Sequence, residues 1–121
     1  MGKQNILKNK TLSFALRIVK AYKYLAKEKK ELVLSKQLLR CGTAIGALVR
    51  EAEYAQSTPD FINKMSIALK EANETEYWLI LLKESEYIEE GVYSSIINDC
   101  QELLKLLIST INTSKNKLNK K

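Results

Sequence analysis

A chain of 121 residues suits one domain with a core of its own, and the absence of histidine removes the usual general base and the commonest metal ligand. Two cysteines, Cys41 and Cys100, are too few for a zinc or disulfide framework, and one proline, Pro59, with scattered Gly and Ser leaves no flexible linker. The net charge of +6 hides a gradient: residues 1–30 carry nine Lys/Arg against one acid (+8), 31–56 balance, 57–90 carry −5 and 91–121 carry +3.

The chain opens with MGKQNILKNK, which has no apolar core of the signal-peptide kind, and its longest apolar run, YWLILL, falls far short of a membrane span. A cytoplasmic protein with no membrane partner is expected. Gly2 fits the first position of a myristoylation motif, but Ile6 stands where Ser or Thr belongs.

A first helix is expected over about 10–27, with Leu12, Ala15, Leu16, Val19, Tyr22 and Ala26 as its apolar face. Arg17, Lys20, Lys23 and Lys27 follow three-and-four spacing along one flank. Such a stripe suits contact with nucleic-acid phosphates, although a solvated basic surface looks the same in sequence.

A second helix over about 33–56 carries Leu34, Leu38, Cys41, Ile45, Leu48, Ala52 and Ala55 in alternating steps of four and three, an unbroken seven-residue seam. Both cysteines lie among apolar residues at helical spacing and are expected to be buried thiols. Gly42 and Gly46 sit beside the seam with Leu39 and Val49. Each glycine costs a helix interior roughly 1 kcal/mol against alanine, so each needs a reason. The reason expected is the close approach of a neighbouring backbone, either within the bundle or from another subunit. On a further face, Arg40 and Glu51 share one column roughly 16 Å apart. Antiparallel pairing about Thr58 puts Arg40 opposite Glu74 and Glu76, and Glu51 opposite Lys64, as ion pairs that fix register.

In QSTPD, Thr58 can cap, Pro59 takes the first helical position and Asp60 faces the positive end of the dipole. A third helix over about 59–85 repeats the seam as Phe61, Met65, Ala68, Ala72, Thr75, Leu79 and Leu82, with Thr75 as the polar exception. Glu71 and Glu74 share a helical face, where paired carboxylates could serve acid–base work or hold a metal, but with no histidine a structural role is favoured. Trp78 lies off the seam and is expected to pack at a helix or subunit contact. Gly91 marks the next break, and a fourth helix over about 91–114 carries Ile96, Cys100, Leu103, Leu104, Leu107 and Ile111, followed by a frayed basic tail over 115–121. Short connections make consecutive helices antiparallel, which gives an all-α, up-down-up-down four-helix bundle in a single domain, with no cofactor and no metal.

The stretch QLLRCGTAIGALVREAEYAQSTPDFINKMSIALKEANETEYWLILLKES, Gln37 to Ser85, resembles the small bacterial four-helix bundle proteins called intervening-sequence or S-twenty-three-type proteins, some of which are encoded in insertions within large-subunit ribosomal RNA genes. Gln37, Arg40, Ile45, Glu51, Asp60, Phe61, Ala68, Glu71, Glu74, Trp78 and Leu79 fit the family pattern, whereas Ala44 replaces its usual Ser and Leu48 its usual Asn. The resemblance implies a non-enzymatic bundle assembling into a ring, typically a pentamer with a central channel. A related member, the accessory variability determinant protein of diversity-generating retroelements, is similar in fold and binds nucleic acid and a reverse transcriptase through basic residues. The expected function is a homo-oligomeric accessory protein that associates with RNA or DNA through phosphate contacts. The alternative is a protein-interaction module serving a dedicated protein partner. An enzyme built on Glu71 and Glu74 has no nucleophile, phosphate loop or metal constellation behind it.

Overall fold

Four helices follow one another where the chain can stop: α1 (Gly2–Lys27), α2 (Leu34–Glu53), α3 (Thr58–Glu84) and α4 (Glu90–Asn119). They come from a computed structural model that describes residues 2–120. Neither Gly nor Pro falls within residues 3–10, and Leu7, fully buried, anchors that segment, so α1 begins at Gly2 and not near residue 10. At the other end, 115–119 have neither Gly nor Pro, and Lys117 in the last turn favours the negative end of the dipole. Helix α4 therefore runs on to Asn119 where a frayed tail was expected; Lys121 of that tail lies outside the described residues.

The turns differ in detail from the sequence expectation. Helix α1 ends at Lys27, and three residues on the chain turns at Lys30 in the left-handed region, φ 57°. After α3 the same role falls to Glu86, φ 66°, with Tyr87 N–H donating to the Leu82 carbonyl at 2.9 Å. Gly91, the expected break, lies in the first turn of α4. Helix α2 stops at Glu53, three residues early. The α3 cap is Ser57, whose Oγ accepts from Asp60 N–H at 3.1 Å, while the Asp60 carboxylate accepts from Gln56 N–H at 3.1 Å.

Contacts fix the directions. Along α1 and α2, Ile18 faces Gly42, Thr11 faces Gly46 and Lys8 reaches Glu53. Across α2 and α3, Arg40 meets Glu71 and Glu74 while Glu51 meets Lys64. Helices α3 and α4 join Lys83 to Glu90 and Ala72 to Cys100, and α4 returns to α1 through Glu102–Lys10 and Asp99–Arg17. Numbering rises on one helix as it falls on the next at every seam, the up-down-up-down order. The α1–α4 seam is the most sparsely packed of the four.

The core is mostly aliphatic, with Leu7, Ile18, Leu25 and the aromatic Phe14 from α1 facing Leu38, Ile45, Met65, Leu79, Leu103 and Leu107. Four buried hydroxyls satisfy themselves locally: Thr11, Ser35, Thr75 and Thr110 donate to the carbonyls of Leu7, Glu31, Glu71 and Leu106 at 2.7–2.8 Å. Among the described residues no buried side-chain polar atom lacks a partner. In α2 the core position is Val49, and Leu48 is half-buried beside it. The polar-to-apolar change at Leu48 therefore sits at the edge of the core.

Helix α1 is rotated against expectation. Its inward residues are Leu7, Thr11, Phe14, Ile18 and Leu25, while Leu12 and Leu16 are 50% and 63% exposed. Apolar residues cover two faces of α1, so periodicity alone does not choose between them. The choice follows the surface that α2 offers to α1.

Candidate nucleic-acid interface

The two glycines of α2 form a notch for α1. A Cβ at Gly42 would lie 2.9 Å from both γ carbons of Ile18, and one at Gly46 would lie 3.3 Å from Thr11 Cβ and Oγ1. The close neighbour is thus a helix of the same bundle, which resolves the ambiguity left by spacing. With Ile18 and Thr11 seated in the notch, Arg17 is turned toward α4 and Lys20, Lys23 and Lys27 are turned outward.

Arg17 belongs to the fold and not to a free basic stripe. Its Nη1 donates to Asp99 Oδ2 at 2.6 Å, and its Nη2 to Ser95 Oγ at 2.9 Å. This correction could not come from periodicity, because Asp99 lies 82 positions away. Lys20, Lys23 and Lys27 are exposed and make no ion pair among the described residues. They rise over about 10 Å of helix. Leu12 and Leu16 extend the same outward side toward the start of α1.

Beside these lysines the sparse α1–α4 seam opens into a groove of about 620 Å³. Its floor is apolar, with Ala21 from α1 and Ile88, Val92 and Ile96 from the α4 side. Tyr24 lines it with 43% of its surface exposed, and the Lys29 ammonium stands 6.0 Å from the centre of its ring. The rims carry opposite charge, Arg17 and Lys20 on α1 facing Glu89 at the start of α4. Glu89 makes no capping bond with its side chain. Tyr24 and Glu89 were missed in the sequence because neither belongs to a seam.

The polar face shared by α2 and α3 is a closed ion-pair network. The Arg40 guanidinium donates to Glu71 at 3.2 Å and to Glu74, and the Trp78 indole N–H donates to the same Glu74 carboxylate at 3.0 Å. The indole bond, and then the guanidinium, hold the Glu74 carboxyl below the usual glutamate range against the opposing effect of burial. Lys64 lies 4.0 Å from Glu51. Glu76 does not pair with Arg40: it points to α4 and accepts from Gln101 at 3.3 Å. Trp78, half-buried, also stacks edge-on with Tyr77 at 5.1 Å. With Glu71 and Glu74 both held by Arg40, neither is a free carboxylate.

Elsewhere, Glu31 caps α2 from outside the helix, accepting from the N–H groups of Val33, Leu34 and Ser35 at 3.1, 3.0 and 2.7 Å. Burial alone would raise its pKa, but the three N–H donors together lower it. Cys41 and Cys100 are buried, and burial pushes the Cys100 thiol up to about 12. Among the described residues no group of His, Cys, Asp and Glu could hold a metal, and no helix is long and apolar enough to cross a membrane.

The profile of the 23S rRNA-intervening sequence protein family matches residues 3–109 of the chain. A solved structure from Bacteroides thetaiotaomicron VPI-5482, a protein of unknown function from the S23 ribosomal protein family, is 63% identical, covers 91% of this chain and 98% of its own, and superposes with a TM-score of 0.90. No curated protein matches the chain.

Proposed function

Since the chain belongs to the 23S rRNA-intervening sequence protein family, we propose that it acts without catalysis, as a homo-oligomeric ring of bundles that associates with structured RNA or DNA through the phosphate backbone. The observation that carries the reading is the outward, unpaired trio Lys20, Lys23 and Lys27. Three cations on one rigid helix present a fixed positive edge, and a ring would repeat that edge in every subunit. The half-exposed Leu12 and Leu16 beside them favour assembly, because a neighbouring copy would remove both from water. Five copies is the number that the family resemblance supplies.

The test is a salt titration against a structured RNA, with the triple variant Lys20→Gln, Lys23→Gln, Lys27→Gln alongside. Binding should weaken steeply with salt, discriminate little between sequences, and lose a salt slope of about 3 in the triple variant, since each phosphate contact contributes close to one unit. No binding at low ionic strength rejects the nucleic-acid reading. A monomer by native mass measurement rejects the ring. A partner retained from nuclease-treated lysate favours instead a protein-interaction module.

A further inference from the structure

We infer that the α1–α4 groove takes one unpaired nucleobase of a single-stranded segment whose phosphates lie on Lys20, Lys23 and Lys27. The inference rests on the nucleic-acid reading above and specifies which form of nucleic acid is bound.

The groove and the lysine edge adjoin, since Lys20 belongs to both. Its volume, about 620 Å³, falls in the range of small-ligand clefts, roughly 300–1,000 Å³, and accommodates a nucleoside. Tyr24 offers an exposed aromatic ring at its wall, and stacking on an aromatic side chain is how unpaired bases are held. Charge decides which part of a nucleotide enters. Lys20, Lys23 and Lys27 stand on the α1 rim and on the outer side of that helix, and Arg17 on the same rim is held by Asp99, whereas Glu89 stands across the groove with its carboxylate uncommitted to any cap. A phosphate, or any anionic ligand filling the groove, would meet that carboxylate. A neutral base leaves the phosphate outside on the lysines and presents an exocyclic amine as a donor to Glu89. The same geometry excludes a paired base, whose faces are covered by its neighbours in the stack and whose amine is engaged. Cytosine carries a 4-amino donor where uracil carries a 4-oxo acceptor, so a carboxylate at this position favours cytosine.

The experiment is a binding titration of the full chain at low ionic strength and neutral pH with oligocytidine, oligouridine and a blunt RNA duplex of equal length. Oligocytidine should bind about tenfold more tightly than oligouridine, and Glu89→Gln should erase that difference. Tyr24→Ala should weaken both single strands about tenfold and leave the duplex within about twofold. Tyr24 and Glu89 are exposed, so both variants should retain the wild-type helical spectrum. If Tyr24→Ala leaves single-strand affinity unchanged while the triple lysine variant still loses binding, base capture is wrong and phosphate contact stands. If no RNA binds the wild type, both fall together.

Discussion

Replacing Gly42 with alanine sets two known effects against each other. Alanine gains about 1 kcal/mol of helix propensity over glycine in a helix interior. Against this, the new Cβ would lie 2.9 Å from Ile18 Cγ1 and 2.9 Å from Ile18 Cγ2, with Ile18 Cβ at 3.3 Å. Ile18 is β-branched and fully buried, so no rotation of its side chain withdraws both γ carbons, and α1 itself must move. Overpacking of that kind costs about 1–3 kcal/mol. The net expectation is a loss of up to about 2 kcal/mol, set by how far the overpacking cost exceeds the propensity gain. Gly46→Ala is the internal control: its Cβ would stand 3.3 Å from Thr11 Cβ and Oγ1 and 3.6 Å from the Thr11 carbonyl carbon, which a small shift relieves. That variant should stay within about 0.5 kcal/mol of wild type, the contact and the propensity gain offsetting one another. Urea unfolding followed by circular dichroism measures both, at one fixed protein concentration because assembly moves the midpoint by mass action. In the Gly42→Ala background, Ile18→Ala should cost less than it does alone, since it removes the clashing atoms. A Gly42→Ala protein stabilised by the full propensity gain of about 1 kcal/mol would refute the seating of α1 in the notch.

Glu31→Gln should destabilise the fold by about 1–2 kcal/mol at neutral pH, because an amide replaces a carboxylate that accepts from three backbone N–H groups. The folded pKa of Glu31 lies below its ordinary value of 4.5, so its contribution is complete above that value and is lost as pH falls through the lowered one. Wild type and variant should therefore converge in stability on acidification; a difference that stays constant down to the acid limit contradicts the capping role. Both thiols should resist a disulfide-exchange reagent in the native protein and react on unfolding, given a buried Cys41 and a Cys100 pushed up to about 12. Rapid stoichiometric labelling of the folded chain would show that the core is open.

Periodicity was enough for α3, where Met65, Ala68, Ala72, Thr75, Leu79 and Leu82 are buried and, with the half-buried Phe61, make up the seam read from sequence. It misled for α1, where Phe14 and Ile18 on one side compete with Leu12 and Leu16 on another. The notch in α2 decided between them, and a notch is a property of two helices in contact, invisible in either alone. The register pairs show the same limit. Antiparallel geometry places Arg40 near Glu74 and Glu51 near Lys64, but whether Glu76 turns to α2 or α4 depends on the rotation of α3, and it turns to Gln101. Lys20, Lys23 and Lys27 are legible as a stripe because exposure requires no partner. Arg17 is not, because its partners come from the far end of the chain. Tyr24 and Glu89 carry no local signal at all; the groove that joins them exists only once α1 and α4 lie side by side.

Two electrostatic staples, Lys10–Glu102 at 3.1 Å and Arg17–Asp99 at 2.6 Å, span the sparsest seam of the bundle. Both sit partly in solvent, where mobile ions screen them over roughly 10 Å at 0.1 M. Ionic strength therefore pulls two levers in this molecule, loosening its hold on a polyanion from outside while slackening the hinge line along which the first and last rods are laced together. A titration curve read as counterion release alone would fold the second effect into the first, and the staple variant Asp99→Asn is the way to pull them apart.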